Sequence, residues 1–289
     1  MATMRGLGVI FITVVLAGCA TTHSSGSPTQ APREKLPIPS DLRVHIEQSI
    51  ALGREIYLQH KAAAIGTDVL IDRLGSLENK GVEGYLTVRE SDVEGKPLRT
   101  WINLFFTGDT PPRIVYRVRV PMGQDEQPEF EVVSPPQSVE PATLALIHAR
   151  QAALDAAGPF SQSINPVVFP GEAIDEDGIL VLLLAATAKP NIAVLGRHYR
   201  VLVSKDGQTV NKILPLSQAI LELPTVDQAG GRSEALVVTH LVTDYPVETH
   251  VFASMLHGIP ILVSTRRGIW LVSGNKIYLV SKEVPGGAK

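Results

Sequence analysis

The chain has 289 residues and a formal net charge of −3, with 26 Lys and Arg against 29 Asp and Glu. It therefore lacks the basic excess that neutralises phosphates, and nucleic acid is not an expected partner. With Cys19 as its only cysteine it can form no internal disulfide, and at 44% hydrophobic residues a packed core is expected. The roughly 250 residues past position 40 are enough for one large domain or two small ones.

Residues 6–16 are almost wholly apolar, follow Arg5 and lead into small residues, the three-part layout of an export signal. A helix of that length spans roughly 20 Å, short of a ~30 Å hydrocarbon core. The apolar run ends in Leu16-Ala17-Gly18-Cys19, which resembles, residue for residue, the lipobox of bacterial lipoproteins. The resemblance implies a signal peptide over residues 1–18, recognised by its peptidase through Leu16, Ala17 and Gly18. It further implies cleavage before Cys19, a diacylglyceryl group on the Cys19 thiol and acylation of the new amino terminus. Two or more acyl chains are what stable anchoring takes. With Cys19 carrying lipid, a cysteine nucleophile and thiolate metal ligation are excluded. Ala20 and Thr21 follow Cys19 where inner-membrane lipoproteins often carry Asp, so the resemblance is to the outer-membrane class, facing the periplasm. Cleavage removes only Arg5 among charged residues, taking the net charge from −3 to −4. No later apolar run approaches the length of a span.

Residues 19–39 are rich in Ser, Thr, Pro and Gly and read as a flexible tether. Ser40 is an expected N-cap, with Asp41 facing the helix dipole. Leu42, Ile46, Ile50 and Tyr57 approximate a helical stripe that continues to Leu74. Gly66 is expected to break or kink this helix, and Gly75 or Gly81 to end it. Strands are expected over 85–90, 100–106, 113–120 and 129–133, separated by Gly- and Pro-bearing turns. Tyr116, Val118 and Val120 alternate with Arg117 and Arg119, as in an antiparallel meander with one wet face. Pro141 opens a second helix and Gly158-Pro159 stops it.

The remainder reads as β, with strands over 167–169, 179–185, 199–204, 208–214, 235–242, 248–255, 260–264, 268–272 and 276–280. Asp206-Gly207 and Gly274-Asn275 are two-residue hairpin signals. Leu180 to Leu184 is an unbroken apolar run, as in a central strand covered on both faces. The expected fold is α+β: N-terminal helix, antiparallel meander, second helix, then a mostly antiparallel β half. Residues 40–158 and 159–284 are its two regions, as one domain or two.

Few residues suggest chemistry. Ser273 and Lys276 match a Ser-x-x-Lys spacing, but on a hairpin rather than a helix start. Asp175-Glu176-Asp177-Gly178 resembles part of a calcium loop without its further ligands, and is better explained as a turn. The constellation that stands out is His240, Glu248 and His250, with His198 as a fourth candidate. On adjacent hairpin strands, Glu248 and His250 share a face, and a register pairing 240 with 250 adds His240. Two imidazoles and a carboxylate are a plausible zinc set. Residues 196–200 and 248–252 loosely resemble segments of uncharacterised envelope proteins of Gram-negative bacteria, which implies no activity. The leading expectation is a non-catalytic envelope component, membrane-bound through its lipid, that binds a protein or cell-wall partner without a cofactor. The alternative is a zinc-dependent hydrolase using His240, Glu248 and His250.

Overall fold

The computed structural model describes residues 35–123, 125–160, 163–171, 177–217, 219–227 and 230–283. The export signal, the lipobox and most of the tether lie outside the described residues, as do Asp175 and Glu176 of the segment 175–178.

The chain enters at the edge of a sheet. The Leu36 N–H donates to the Leu279 carbonyl at 2.8 Å, and the Lys35 ammonium sits 3.9 Å from the centroid of the Tyr278 ring. Leu36 and Ile38 also pack against a buried apolar cluster. The last residues of the segment read as tether thus belong to the folded body, because these two apolar side chains find a core to enter.

A single 3-10 turn, Ser40–Leu42, leads into helix α1, Arg43–Leu74. Ser40 is not the N-cap: Pro39 takes that place, and no side chain caps the turn. Asp41 instead pairs with Arg267 at 3.0 Å. Gly66 does not break α1, which runs unbroken through it. A glycine inside a helix costs about 1 kcal/mol relative to alanine, and here close packing outweighs that cost. A Cβ on Gly66 would lie 2.1 Å from Asn103 Nδ2. Asn103 is fully buried, donates to the Ala62 carbonyl at 3.0 Å and accepts from the Thr87 hydroxyl at 2.5 Å. Gly75, at φ +73°, ends the helix as expected.

Four strands follow as an antiparallel meander: β1 (Gly84–Ser91), β2 (Pro97–Phe106), β3 (Arg113–Pro121) and β4 (Glu129–Ser138). Val118 and Val120 are buried with Trp101 and Phe105 in a cluster that includes Ala62 and Leu70 of α1. Arg117 and Arg119 pair on the wet face with Glu131 and Glu90. Helix α2, Pro141–Ala157, lies against a second antiparallel sheet. That sheet comprises β5 (Ser163–Pro170), β6 (Ile179–Ala186), β8 (Tyr199–Val203) and β9 (Val210–Pro215), in that order. Residues 179–185 of β6 are all buried, as their unbroken apolar run requires. Strands β7 (Ile192–Val194) and β10 (Glu222–Pro224) form a short ribbon.

The last sheet departs from expectation. Strand β11 (Leu236–Thr239) is followed not by a hairpin partner but by helix α3, Glu248–His257. The chain then returns as β12 (Ile261–Thr265), parallel to β11, before β13 (Gly268–Ser273) and β14 (Lys276–Ser281) complete the sheet antiparallel. The expected strand over 248–255 is therefore wrong, and with it the expected pairing of 240 with 250. Residues 248–254 are buried all round the helix, so no polar face marks a 3.6-residue period. Thr249, Val251 and Phe252 add strand-like character. Gly258, at φ +61°, and Pro260 beyond it are the helix-stop signals that the sequence did carry.

The described residues belong to one compact unit. Helix α1 touches β1, β2, β3, β5, β14 and α3, so both regions read from the sequence share it. Replacing Gly66 by Ala is expected to push Asn103 from its buried hydrogen bonds, at about 2–4 kcal/mol. Calorimetry should show a Tm lowered by roughly 5–15 °C; an unchanged Tm would contradict this packing.

Candidate functional site: a histidine-lined cavity at the head of helix α3

Three of the four residues singled out by sequence do converge, by a route other than a hairpin. His240 continues β11, its N–H donating to the Ser264 carbonyl at 2.8 Å. His250 is the third residue of α3, and its Nδ1 accepts the Val247 backbone N–H at 3.1 Å. This is half of a capping box, with imidazole in place of the usual Glu or Gln. His198 immediately precedes β8, and its Nδ1 accepts the Ala185 N–H of β6 at 3.0 Å. The His240 and His250 rings meet edge to face, with centroids 4.9 Å apart. All three imidazoles, with Thr249 and Ser217, line a cavity of about 30 Å³.

Glu248 does not join them. It is 1% exposed, and its Oε1 accepts from Arg200 Nε at 3.2 Å and Nη2 at 2.7 Å. Arg200 lies on β8 two residues after His198, so one strand start supplies both the guanidinium and an imidazole. Sequence reasoning missed Arg200, Ser217 and Thr249 as parts of this region. Arg200 carried a signal, a cation in a strand whose alternate residues Val201 and Val203 are buried. Ser217 and Thr249 carried none.

Burial pushes the His198 pKa down to about 4, the Val194 carbonyl acting in the opposite direction. Burial likewise takes His240 to about 4. His250 lies well below its ordinary value, first from burial and then from repulsion by His240 and His198. All three are neutral imidazoles at neutral pH. A neutral imidazole carries one N–H and one lone pair. Backbone N–H groups face Nδ1 of both His198 and His250, so their protons sit on Nε2. His198 Nε2 is buried without a hydrogen-bond partner among the described residues.

This arrangement does not fit the zinc set expected from the sequence. A metal-bound imidazole gives its lone pair to the ion and usually donates its other N–H to an acceptor. Here the lone pairs of His198 and His250 already face backbone donors, and the Glu248 carboxylate is engaged by Arg200. Among the described residues, no group of three or more His, Cys, Asp or Glu side chains is placed to hold a metal ion. The cavity can instead hold a water-sized hydrogen-bond acceptor. His60 is half-buried and stands edge-on to Phe252. His148 contacts Gln208 at 2.9 Å near the surface. No protein-family model, curated protein or solved structure matches the chain.

The buried imidazoles make stability pH-dependent with a definite sign. In the unfolded chain a histidine takes up its proton near pH 6.5, whereas His198 and His240 in the fold resist until about 4. Stability is therefore full above pH 6.5 and falls as pH drops from 6.5 towards 4, by on the order of 3 kcal/mol for each of the two. Urea midpoints at pH 7.5 and 4.5 should show this loss. The double variant His198→Asn/His240→Asn should have a clearly shallower pH slope, and an equal slope would show that these imidazoles are not the buried neutral groups described.

Proposed function

We propose that this chain is a lipid-anchored protein of the bacterial cell envelope. Acylated Cys19 holds it in the outer membrane facing the periplasm, where it acts as a non-catalytic binding or assembly component for a protein or cell-wall partner. The observation that carries the reading is the lipobox, in which the only cysteine of 289 residues falls at the acylated position. The order of the chain supports it: apolar run, Leu16-Ala17-Gly18-Cys19, a polar Ser- and Pro-rich stretch, then a body entered at Lys35. Twenty residues from Ala20 to Pro39 would reach on the order of 25 Å as a flexible coil, and somewhat less with the last five seated on the body. Among the described residues no helix is long and apolar enough to cross a membrane.

The geometry of the histidine cluster bears on the metal-dependent alternative. Its imidazoles are neutral and a lone pair of each faces a backbone N–H group, that of Ala185, Val247 or Thr243, while the nearby carboxylate serves a structural ion pair. The alternative of a zinc-dependent hydrolase using His240, Glu248 and His250 draws no support from this geometry.

Intact-mass measurement on the full chain expressed in a Gram-negative host tests the anchor. The expected product begins at Cys19, carries diacylglyceryl and amide-linked acyl mass, and fractionates with outer membranes. Cys19→Ser should abolish the lipid mass and release the body from the membrane. The same mass shift and the same membrane association in Cys19→Ser would contradict the proposal.

A further inference from the structure

An edge strand presents unpaired N–H and C=O groups to any extended chain that approaches, and proteins normally blunt such edges. Here the other edges are blunted. Strand β4 carries Pro135 and Pro136, and β5 carries Pro166 and Pro170. Strand β9 carries Lys212 and ends in Pro215. The register of β1 shifts between Arg89 and Ser91, and β10 is three residues long and ends in Pro224. The outer edge of β14 is capped by the entering chain at Leu36.

Strand β11, four residues long, carries no proline, lysine or register shift. It lies at the end of the sheet order β11-β12-β13-β14 and reads Leu236-Val237-Val238-Thr239, followed by His240-Leu241-Val242. Its parallel ladder to β12 begins with the Leu236 N–H on the Pro260 carbonyl and still holds at the His240 N–H on the Ser264 carbonyl. A parallel ladder uses every second residue. Leu236, Val238 and His240 therefore turn their backbone groups inward, and Val237, Thr239 and Leu241 turn theirs outward. Among the described residues nothing pairs with these outward groups. On the faces of the sheet, Leu236 and Val238 are buried, whereas Val237 is 64% exposed, Leu241 60% and Val242 45%.

We infer that the outer edge of β11 is a strand-addition site for an extended segment of a second envelope protein. The chemistry of the edge selects that occupant. Only an extended backbone supplies alternating donors and acceptors at the spacing of Val237, Thr239 and Leu241. The apolar side chains at 237 and 241 call for β-branched or aromatic residues at alternate positions of the incoming strand. The exposed carboxylate of Glu234 at the start of the edge calls for a basic residue beside them. A second copy of this chain fits less well. Antiparallel self-pairing centred on Thr239, the register that matches Val237 with Leu241, brings no Lys or Arg from residues 233–245 of the other copy to Glu234. The inference deepens the reading of the chain as a binding component and does not depend on its lipid.

The experiment uses the full chain in its native host, with a benzophenone amino acid placed in turn at 237, 239 and 241. The expected result is that all three positions cross-link to one continuous stretch of one other protein. The site of attachment should step along that stretch by about two residues from each position to the next, as a ladder requires. Thr239→Pro removes an outward N–H without touching the β12 ladder. It should cut the adduct at 241 at least tenfold while Tm stays within a few degrees. Val237→Lys, at an exposed side chain, should do the same should the proline variant fail to fold. Adducts scattered over several proteins, confined to lipid, or formed only between copies of this chain would overturn the inference. The mass at Cys19, read on the same samples, separates the two proposals. A lipidated chain without the ladder pattern overturns this inference alone, and a ladder pattern on an unlipidated chain overturns only the anchor.

Discussion

The fold depends on how closely α3 approaches α1 at Gly53. A Cβ at that position would lie 2.5 Å from Val251 Cβ and 2.7 Å from the Glu248 carbonyl, separations that no larger residue tolerates. The glycine lets the first turn of α3 lie directly on the backbone of α1. Thirteen residues further along α1, Gly66 admits Asn103 of β2 in the same manner. One helix thus carries two notches, the first for the β11-α3-β12 crossover and the second for the meander.

The local chemistry of the histidine cavity follows from the first notch. With the start of α3 fixed, Glu248 and His250 are committed to opposite tasks from the same first turn of the helix. Glu248 reaches Arg200 on β8, joining the second sheet to the crossover. An ion pair with one fully buried member resists rupture more than a surface pair of ~0–1 kcal/mol, because loss of the cation leaves a carboxylate without water. His250 caps its own helix through Nδ1 and meets His240, while His198 is held by β6. Each imidazole satisfies a backbone group or packs against another ring, and all three are uncharged. The cluster therefore works as buried polar structure, sensitive to acid, at the junction of α3, β8 and β11.

The sequence made much of this legible, and the exceptions share a cause. The short apolar run of β6 and the two Gly-bearing hairpins are marked by β-branched or apolar runs bounded by turn residues, and the stripe of α1 and the alternation at 116–120 each follow a period that one element type satisfies. The helix α3 does not, because burial on every side erased its polar face and Thr249, Val251 and Phe252 favoured a strand. Gly66 misled for a related reason. A glycine in a helix reads locally as a breaker, and its packing against Asn103, 37 residues away in sequence, is invisible to any local rule. The meeting of His240 and His250 was anticipated with the wrong geometry. They were close in the chain and remained close in space, but the proton positions that disfavour metal come from Ala185 and Val247, and no spacing pattern points to those.

The most direct test of the Gly53 contact, and of α3 as a helix, is nuclear Overhauser spectroscopy of the folded domain with labelled Val and Gly. The expected result is a strong cross-peak between the Gly53 Hα protons and a Val251 methyl, together with helical (i, i+3) connectivities through residues 248–257. Cross-strand peaks between residues 238–242 and 248–252, with no Gly53–Val251 contact, would restore the hairpin and remove the basis for the site described.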